Sequence, residues 1–172
     1  WTRAWNADPT PLLVLRRLRE EGKIRFIGIS TPEQDQDSVN DLMRRGLIDA
    51  VQVIYNIFQQ DPAAELLPLA RECGVGVIVR VVFDEGSLTG KFTADHRFAS
   101  DDFRSRYFEG DRLARTVARV ARLQADIERE GTAAGRPLAE TALRFALSHP
   151  AVSTVIPGIR NPEQARKNLG VS

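Results

Sequence analysis

Apolar residues in this chain collect into short runs, and the stretches between the runs repeat them every three or four positions. The runs are "KIRFIGIS" (23–30), "AVQVIYN" (50–56), "VGVIVRVVF" (75–83) and "AVSTVIP" (151–157). Their length and β-branched content predict strands. "TPLLVLRRLREEG" (10–22), "SVNDLMRRG" (38–46) and "DPAAELLPLARECG" (61–74) predict helices, each closed by a glycine. In the first, Thr10 is placed as N-cap and Pro11 at the first helical position. A long helix is expected over about 111–130, with Leu113, Val117, Val120 and Ile127 on one stripe. "PLAETALRFALSH" (137–149) predicts another, and a last one starts near Pro162.

Read as strands apolar on both faces, the runs imply a parallel sheet covered by helices. Right-handed crossovers then allow a doubly wound sheet or a barrel. A doubly wound nucleotide fold carries G-x-G-x-x-G after its first strand, and the sequence has none. Ser30, Gln52, Arg80 and Gly158 fall at or near the carboxyl ends of their strands, the rim where barrels do chemistry. The expected fold class is therefore α/β, a (β/α)8 TIM barrel with parallel strands. Four βα units are half of such a barrel's complement, expected as one domain over 1–172. The segment 84–110, about 27 residues where roughly 2 to 6 are usual, is expected to be a lid.

Of the 172 residues, 42% are hydrophobic and 27% charged, and the net charge is +1. Charges of both signs are interleaved, which gives no reason to expect nucleic acid or a membrane surface as partner. No apolar run nears the ~18 residues of a membrane span. A lone cysteine, Cys73, rules out an internal disulfide and fits a reducing compartment, so a cytoplasmic location is expected. Beside the helix-ending Gly74, it is expected to be a packed, inert thiol. The chain opens on Trp1 rather than methionine, and we expect it to be part of something longer. Half a barrel would leave strand edges and an inner face uncovered. Its expected partner is the missing N-terminal half, or a homo-oligomer.

The polar residues supply candidate chemistry. "STVIPGIRNPEQARKNLG" (153–170) sets Arg160 at the start of a helix, a corner suited to an anion. Gln52 inside a barrel needs hydrogen bonds, from neighbouring backbone or from a ligand. Arg80, between Val79 and Val81, must pair with a carboxylate such as Asp84 or Glu85, or reach a ligand. Tyr55 faces the helices and reads as packing. His149 reads as a cation at a helix end, and His96 has no second histidine at metal spacing. Asp101 and Asp102 read as a solvated loop face. No metal site is expected, and no G-x-S-x-G, H-E-x-x-H or P-loop occurs.

Four of these segments, in order, carry a resemblance. "EGKIRFIGIS", "VQVIYN", "GVGVIVRVVFDEGSLTGKF" and "STVIPGIRNPEQARKN" resemble the carboxyl-terminal half of the aldo-keto reductases, (β/α)8 barrels that bind NADPH without a Rossmann domain. The resemblance implies that Ser30 and Thr31 (the latter replacing an asparagine) and Gln52 hold the nicotinamide carboxamide. Arg80 would stand where many members stack a tyrosine or tryptophan on the nicotinamide ring. "GSLTGK" (86–91), with Gly86, Leu88 and Lys91, would close over the pyrophosphate. Gly158 and Arg160 would meet the 2′-phosphate, Gln164 stands at a position that is often arginine, and Asn168 would face the adenine. Lys167 replaces a common glutamate. The family's proton-donor tyrosine, its lysine and aspartate partners and its histidine belong to the other half, so no catalytic residue is assigned here and the chain is not expected to be active alone. The resemblance implies an NADPH-dependent reductase of aldehydes or ketones, or the reverse oxidation. Two other readings stay open: a non-catalytic NADP-binding regulatory subunit on the same barrel, and a different barrel enzyme whose terminal phosphate site serves a phosphorylated sugar.

Overall fold

The computed structural model describes residues 10–131 and 135–171; Trp1 lies outside the described residues. They divide into two compact units, one built from 10–82 with 145–158 and the other from 83–131, 135–144 and 159–171.

The first unit holds the sheet. Helix α1 (Thr10–Glu20), strand β1 (Gly28–Ser30), helix α2 (Asn40–Arg44), strand β2 (Ala50–Ile54), helix α3 (Leu66–Glu72), strand β3 (Gly76–Arg80) and strand β4 (Val152–Val155) follow in that order. All three strand pairs are parallel, and the spatial order is the sequence order, β1-β2-β3-β4. A doubly wound sheet reverses direction at a switch point. Stepping always the same way, with right-handed crossovers, keeps the helices on one face. This is the strand arrangement of part of a (β/α)8 barrel.

Burial agrees, and it distinguishes the two faces of the first three strands. Ile29, Val51, Val53, Val77 and Val79 are buried. The alternate positions Gly28, Ser30, Ala50, Gln52, Gly76, Ile78 and Arg80 are exposed or half-buried. One face of β1, β2 and β3 is thus buried throughout, while the other carries small residues at its amino end, the apolar Ile78 and Ile54, and polar Ser30, Gln52 and Arg80 toward its carboxyl end. Burying each of these valines contributes about 1.5–3 kcal/mol. That packing, rather than the propensity of three- to five-residue strands, holds the sheet together.

The elements are shorter than the apolar runs, for identifiable reasons. Before β1, the Ile27 amide donates to the Asp49 carboxylate at 2.8 Å instead of to a ladder. Pro68 has no N–H to donate, so a continuous helix over 61–72 is interrupted. A 3-10 turn at Asp61–Ala63 gives way to α3, which places Pro68 in a first turn. Likewise a 3-10 turn at Gln36–Val39 precedes α2. Cys73 caps the carboxyl end of α3 and is exposed, not packed as its neighbour Gly74 suggested.

The second unit contains a 3-10 segment at Asp84–Thr89 and helices α4 (Arg104–Tyr107) and α5 (Arg112–Glu130). It also holds most of α6 (Leu138–Ser148) and all of α7 (Pro162–Leu169). On α5, Leu113 and Val120 are buried and Val117 and Ile127 half-buried, as their spacing predicts. No described helix is long and apolar enough to cross a membrane.

β3 stops at Arg80 because Val81 adopts φ +54°, a left-handed conformation that β-branched residues avoid. Asn56, with 0% exposure, holds the turn. Its Nδ2 donates to the Val81 carbonyl at 3.0 Å, and its Oδ1 accepts from the amides of Phe58 and Gln59 at 2.9 and 3.0 Å. Tyr55 turns the other way and stacks on Phe145 with ring centroids 5.3 Å apart, as packing requires. His149 meets the edge of the same tyrosine. It is not a cationic cap: burial, and secondarily the charge of Arg71, push its imidazole below the ordinary value. Its Nδ1 accepts from the Ala151 amide at 3.2 Å, which requires that nitrogen to be unprotonated.

Two expectations follow for the full-length protein. Asn56→Ala removes the Val81 carbonyl's buried donor and should cost about 1–3 kcal/mol in urea unfolding; a loss no larger than that of exposed Gln60→Ala would contradict this role. His149 binds a proton near pH 6.5 when unfolded and only at lower pH when folded. Stability should therefore fall as pH drops below about 6.5, and His149→Asn, which keeps an acceptor but cannot titrate, should flatten that slope. Identical pH profiles would refute the assignment.

Candidate functional site

Register brings three of the expected residues to one strand-end edge of the first unit. Ser30 pairs with Gln52 across β1 and β2, and Ile54 pairs with Arg80 across β2 and β3. Gly28, Ser30, Gln52 and Ile78 line a cleft of about 230 Å³ on the open face of the sheet. The small residues at the amino end of that face, Gly28, Ala50 and Gly76, leave the space. A Cβ on Gly28 would sit 3.2 Å from the Ala50 carbonyl oxygen, too close for comfortable packing.

Around the cleft some polar groups are committed and others are not. Thr31 is buried, and its hydroxyl lies 3.0 Å from Gln36 Oε1 and 3.2 Å from the Gln52 carbonyl. The structure therefore gives the Thr31 hydroxyl two protein partners. Gln36, itself buried, completes the clamp: its Oε1 accepts from the Ile54 amide at 2.6 Å and its Nε2 donates to the Ile54 carbonyl at 3.0 Å. Nothing in the sequence singled out Gln36. Gln52 is half-buried, and its side-chain amide has no hydrogen-bond partner among the described residues. Ser30 is exposed. Arg80 reaches across the end of β2 and donates from Nη2 to the Thr31 carbonyl at 3.1 Å. Its Nε is buried without a partner, and it makes no ion pair among the described residues. Gly158 is exposed with open space around it, so this chain sets no steric demand for glycine there.

The second unit carries the remaining candidates. Asp84, Glu85 and Gly86 all have positive φ, the glycine at +101°. A side chain on Gly86 would also press on the Phe92 ring at 3.1 Å. Ser87 donates to the Asp84 carboxylate at 2.6 Å and Thr89 to the Gly86 carbonyl at 2.6 Å, so the turn is braced from within. Leu88 is fully buried and its amide donates to the Phe83 carbonyl at 3.0 Å. Its burial anchors the turn. Lys91 is exposed, and its charge acts on Glu163 in the first turn of α7.

Beyond the turn, the long segment is not loosely solvated. Phe92, His96, Phe98 and Phe108 pack ring against ring, with Phe98 and Phe108 stacked at 5.4 Å. Asp102, read above as a solvated carboxylate, takes the Arg104 guanidinium in an ion pair that includes Nε bonds of 2.9 and 3.0 Å. Hydrogen bonds from the Arg104 side chain and amide hold its carboxyl down at about 2, with a smaller pull from Arg160.

At α7, Asn161 caps the helix: its Oδ1 accepts from the Gln164 amide at 2.9 Å. Gln164 Oε1 in turn accepts from the Arg160 amide at 2.7 Å. Asn followed by proline is an N-cap signal that the sequence reading passed over. Because Pro162 has no N–H and the Gln164 amide is capped, the helix end offers an anion fewer donors than expected. Arg160 is exposed and Asn168 half-buried.

Comparison with known proteins identifies the scaffold. Over 172 residues the chain is 28% identical to the NADH-specific methylglyoxal reductase of Escherichia coli, covering 96% of this chain and 51% of that protein. It is 31% identical over 157 residues to the pyridoxal 4-dehydrogenase of Microbacterium luteolum, covering 90% of this chain and 42% of that protein. Among solved structures, the glycerol dehydrogenase of Gluconobacter oxydans superposes with a TM-score of 0.69 at 25% identity, over 91% of this chain and 46% of that one. An aldo-keto reductase from Bacillus halodurans in its holo form gives 0.64 at 26% identity, over 91% and 47%. The chain thus spans about half the length of the relatives it matches. The profile of the aldo/keto reductase family matches residues 5–172, and the chain belongs to that family.

Proposed function

We propose that this chain supplies the cofactor-binding residues of an NADPH-dependent oxidoreductase that reduces an aldehyde or ketone, or oxidises the corresponding alcohol. The observation that carries the reading is the pair of uncommitted amide and hydroxyl groups at the ends of β1 and β2. A nicotinamide carboxamide needs an acceptor for its NH2 and a donor for its oxygen. Gln52 offers both, its amide is free of protein partners among the described residues, and Ser30 stands beside it in register. These residues fit the group. Arg80 would border the ring, while Gly86, Lys91 and Arg160 would meet the phosphates, Gly158 would lie along their path and Asn168 would face the adenine. Gln164 would act by fixing the Arg160 backbone, and Leu88 by anchoring the turn.

The bound nicotinamide carries the hydride chemistry, and the chain's own part is to hold and orient it. The proton donor is read as lying outside residues 1–172. Tyr55, a candidate by residue type just past the end of β2, is buried against Phe145 and His149, and burial raises its hydroxyl above the ordinary value. Substrate and coenzyme preference are the open chemical choices, and the Escherichia coli relative is by name NADH-specific. Arg160 decides between them in this reading. In the full-length protein, Arg160→Ala should weaken NADPH about ten- to a hundredfold, the worth of a charge-assisted hydrogen bond, and leave NADH nearly unchanged. Equal losses for the two coenzymes, measured by fluorescence titration, would remove Arg160 from a 2′-phosphate site.

A further inference from the structure

Arg80 presents a charge with no carboxylate partner among the described residues. Its guanidinium is tied by one bond, Nη2 to the Thr31 carbonyl, which fixes it beside Ser30 and over the end of β2. Its Nε is buried and unpartnered, and no carboxylate pairs with it among the described residues. Taking a cation out of water without a counter-charge is unfavourable, and arginine stays charged at any physiological pH. A fixed positive charge therefore stands next to the two residues that, in the proposed function, hold the carboxamide.

The carboxamide is attached directly to the nicotinamide ring, so a ring held by Ser30 and Gln52 lies close to that charge. The ring is a cation when oxidised and neutral when reduced. A neighbouring cation repels the first and is nearly indifferent to the second. In a half-buried position, where charges are less screened than in water, the difference becomes a difference in affinity.

We propose that Arg80 is a redox-state discriminator: it makes the protein bind the reduced dinucleotide more tightly than the oxidised one. This rests on the reading that Ser30 and Gln52 hold the carboxamide. The same discrimination makes the bound oxidised ring a stronger hydride acceptor than the free coenzyme, and it speeds release of oxidised coenzyme after a reduction. Methionine at position 80 keeps the length and removes the charge, whereas lysine keeps the charge.

The test is equilibrium binding of oxidised and reduced coenzyme to the full-length protein. ADP-ribose 2′-phosphate, which lacks the nicotinamide, serves as the control for an intact fold. Arg80→Met should lower the ratio of the oxidised to the reduced dissociation constant about tenfold, equivalent to about 30 mV in the two-electron potential of the bound coenzyme. Arg80→Lys should retain most of the wild-type ratio, and ADP-ribose 2′-phosphate should bind all three proteins alike. An Arg80→Met protein that binds the control normally but keeps the wild-type ratio, or loses both coenzyme forms equally, overturns the discriminator. Should Arg80→Met fail to bind the control, neutral Arg80→Gln is measured and judged in the same way. Gln52→Ala separates the two levels of the argument. If it weakens neither coenzyme form, the site reading itself fails; if it weakens both while Arg80→Met leaves the ratio alone, only the discriminator is lost.

Discussion

Parallel pairing in strict register, with side chains alternating between faces, is the constraint from which this molecule's chemistry derives. Because Ser30 stands opposite Gln52 and Ile54 opposite Arg80, burying Ile29, Val51, Val53, Val77 and Val79 on one face compels the polar residues between them onto the other. A slip of one residue in any pair would drive Gln52 or Arg80 into the valine layer, at the cost of burying an unpaired amide or a charge. The hydrophobic face and the candidate site are thus two consequences of one register. The glycines and alanine at the amino end of the open face leave the cleft above which the polar tips stand.

Strand ends need separate support, since a chain leaving a sheet gives up its ladder bonds. Two buried side-chain amides provide it here. Gln36 pairs with both backbone groups of Ile54 and with the Thr31 hydroxyl, closing the ends of β1 and β2. Asn56 binds the carbonyl of Val81, where φ is +54°, and fixes the point at which the chain turns away after Arg80. These residues face no ligand, yet they set where Ser30, Gln52 and Arg80 lie. In the second unit the Asp102–Arg104 pair and the Phe92–Phe98–Phe108 cluster do the equivalent work for the segment after the glycine turn.

Much of this was legible in the sequence, and the misses have physical reasons. The four strands, the long helix and the polar strand tips could be read because apolar period and residue type are local properties. Strand limits could not, because Val82 and Phe83 are as apolar as Val79; only a backbone angle at Val81 ends the strand. Which of the two faces is the more open could not be read either, because Ile54 and Ile78 make the second face look as apolar as the first. The hydrogen bond between Thr31 and Gln36 could not be read, because no spacing rule picks out a partner five residues away. His149 and Asp102 were misjudged because their surroundings are set by packing: burial, and secondarily Arg71, lowers the imidazole, and the Arg104 side chain folds back onto the Asp102 carboxylate. Cys73 erred the other way, since adjacency to a helix-ending glycine says nothing about which side the thiol faces.

A crystal structure of the full-length protein with bound nicotinamide dinucleotide examines the core of this account most directly. The account requires the carboxamide to lie within hydrogen-bond distance of the Gln52 amide and the Ser30 hydroxyl, with the Arg80 guanidinium at the edge of the ring. A carboxamide held elsewhere, with Gln52 turned onto protein backbone, would contradict it.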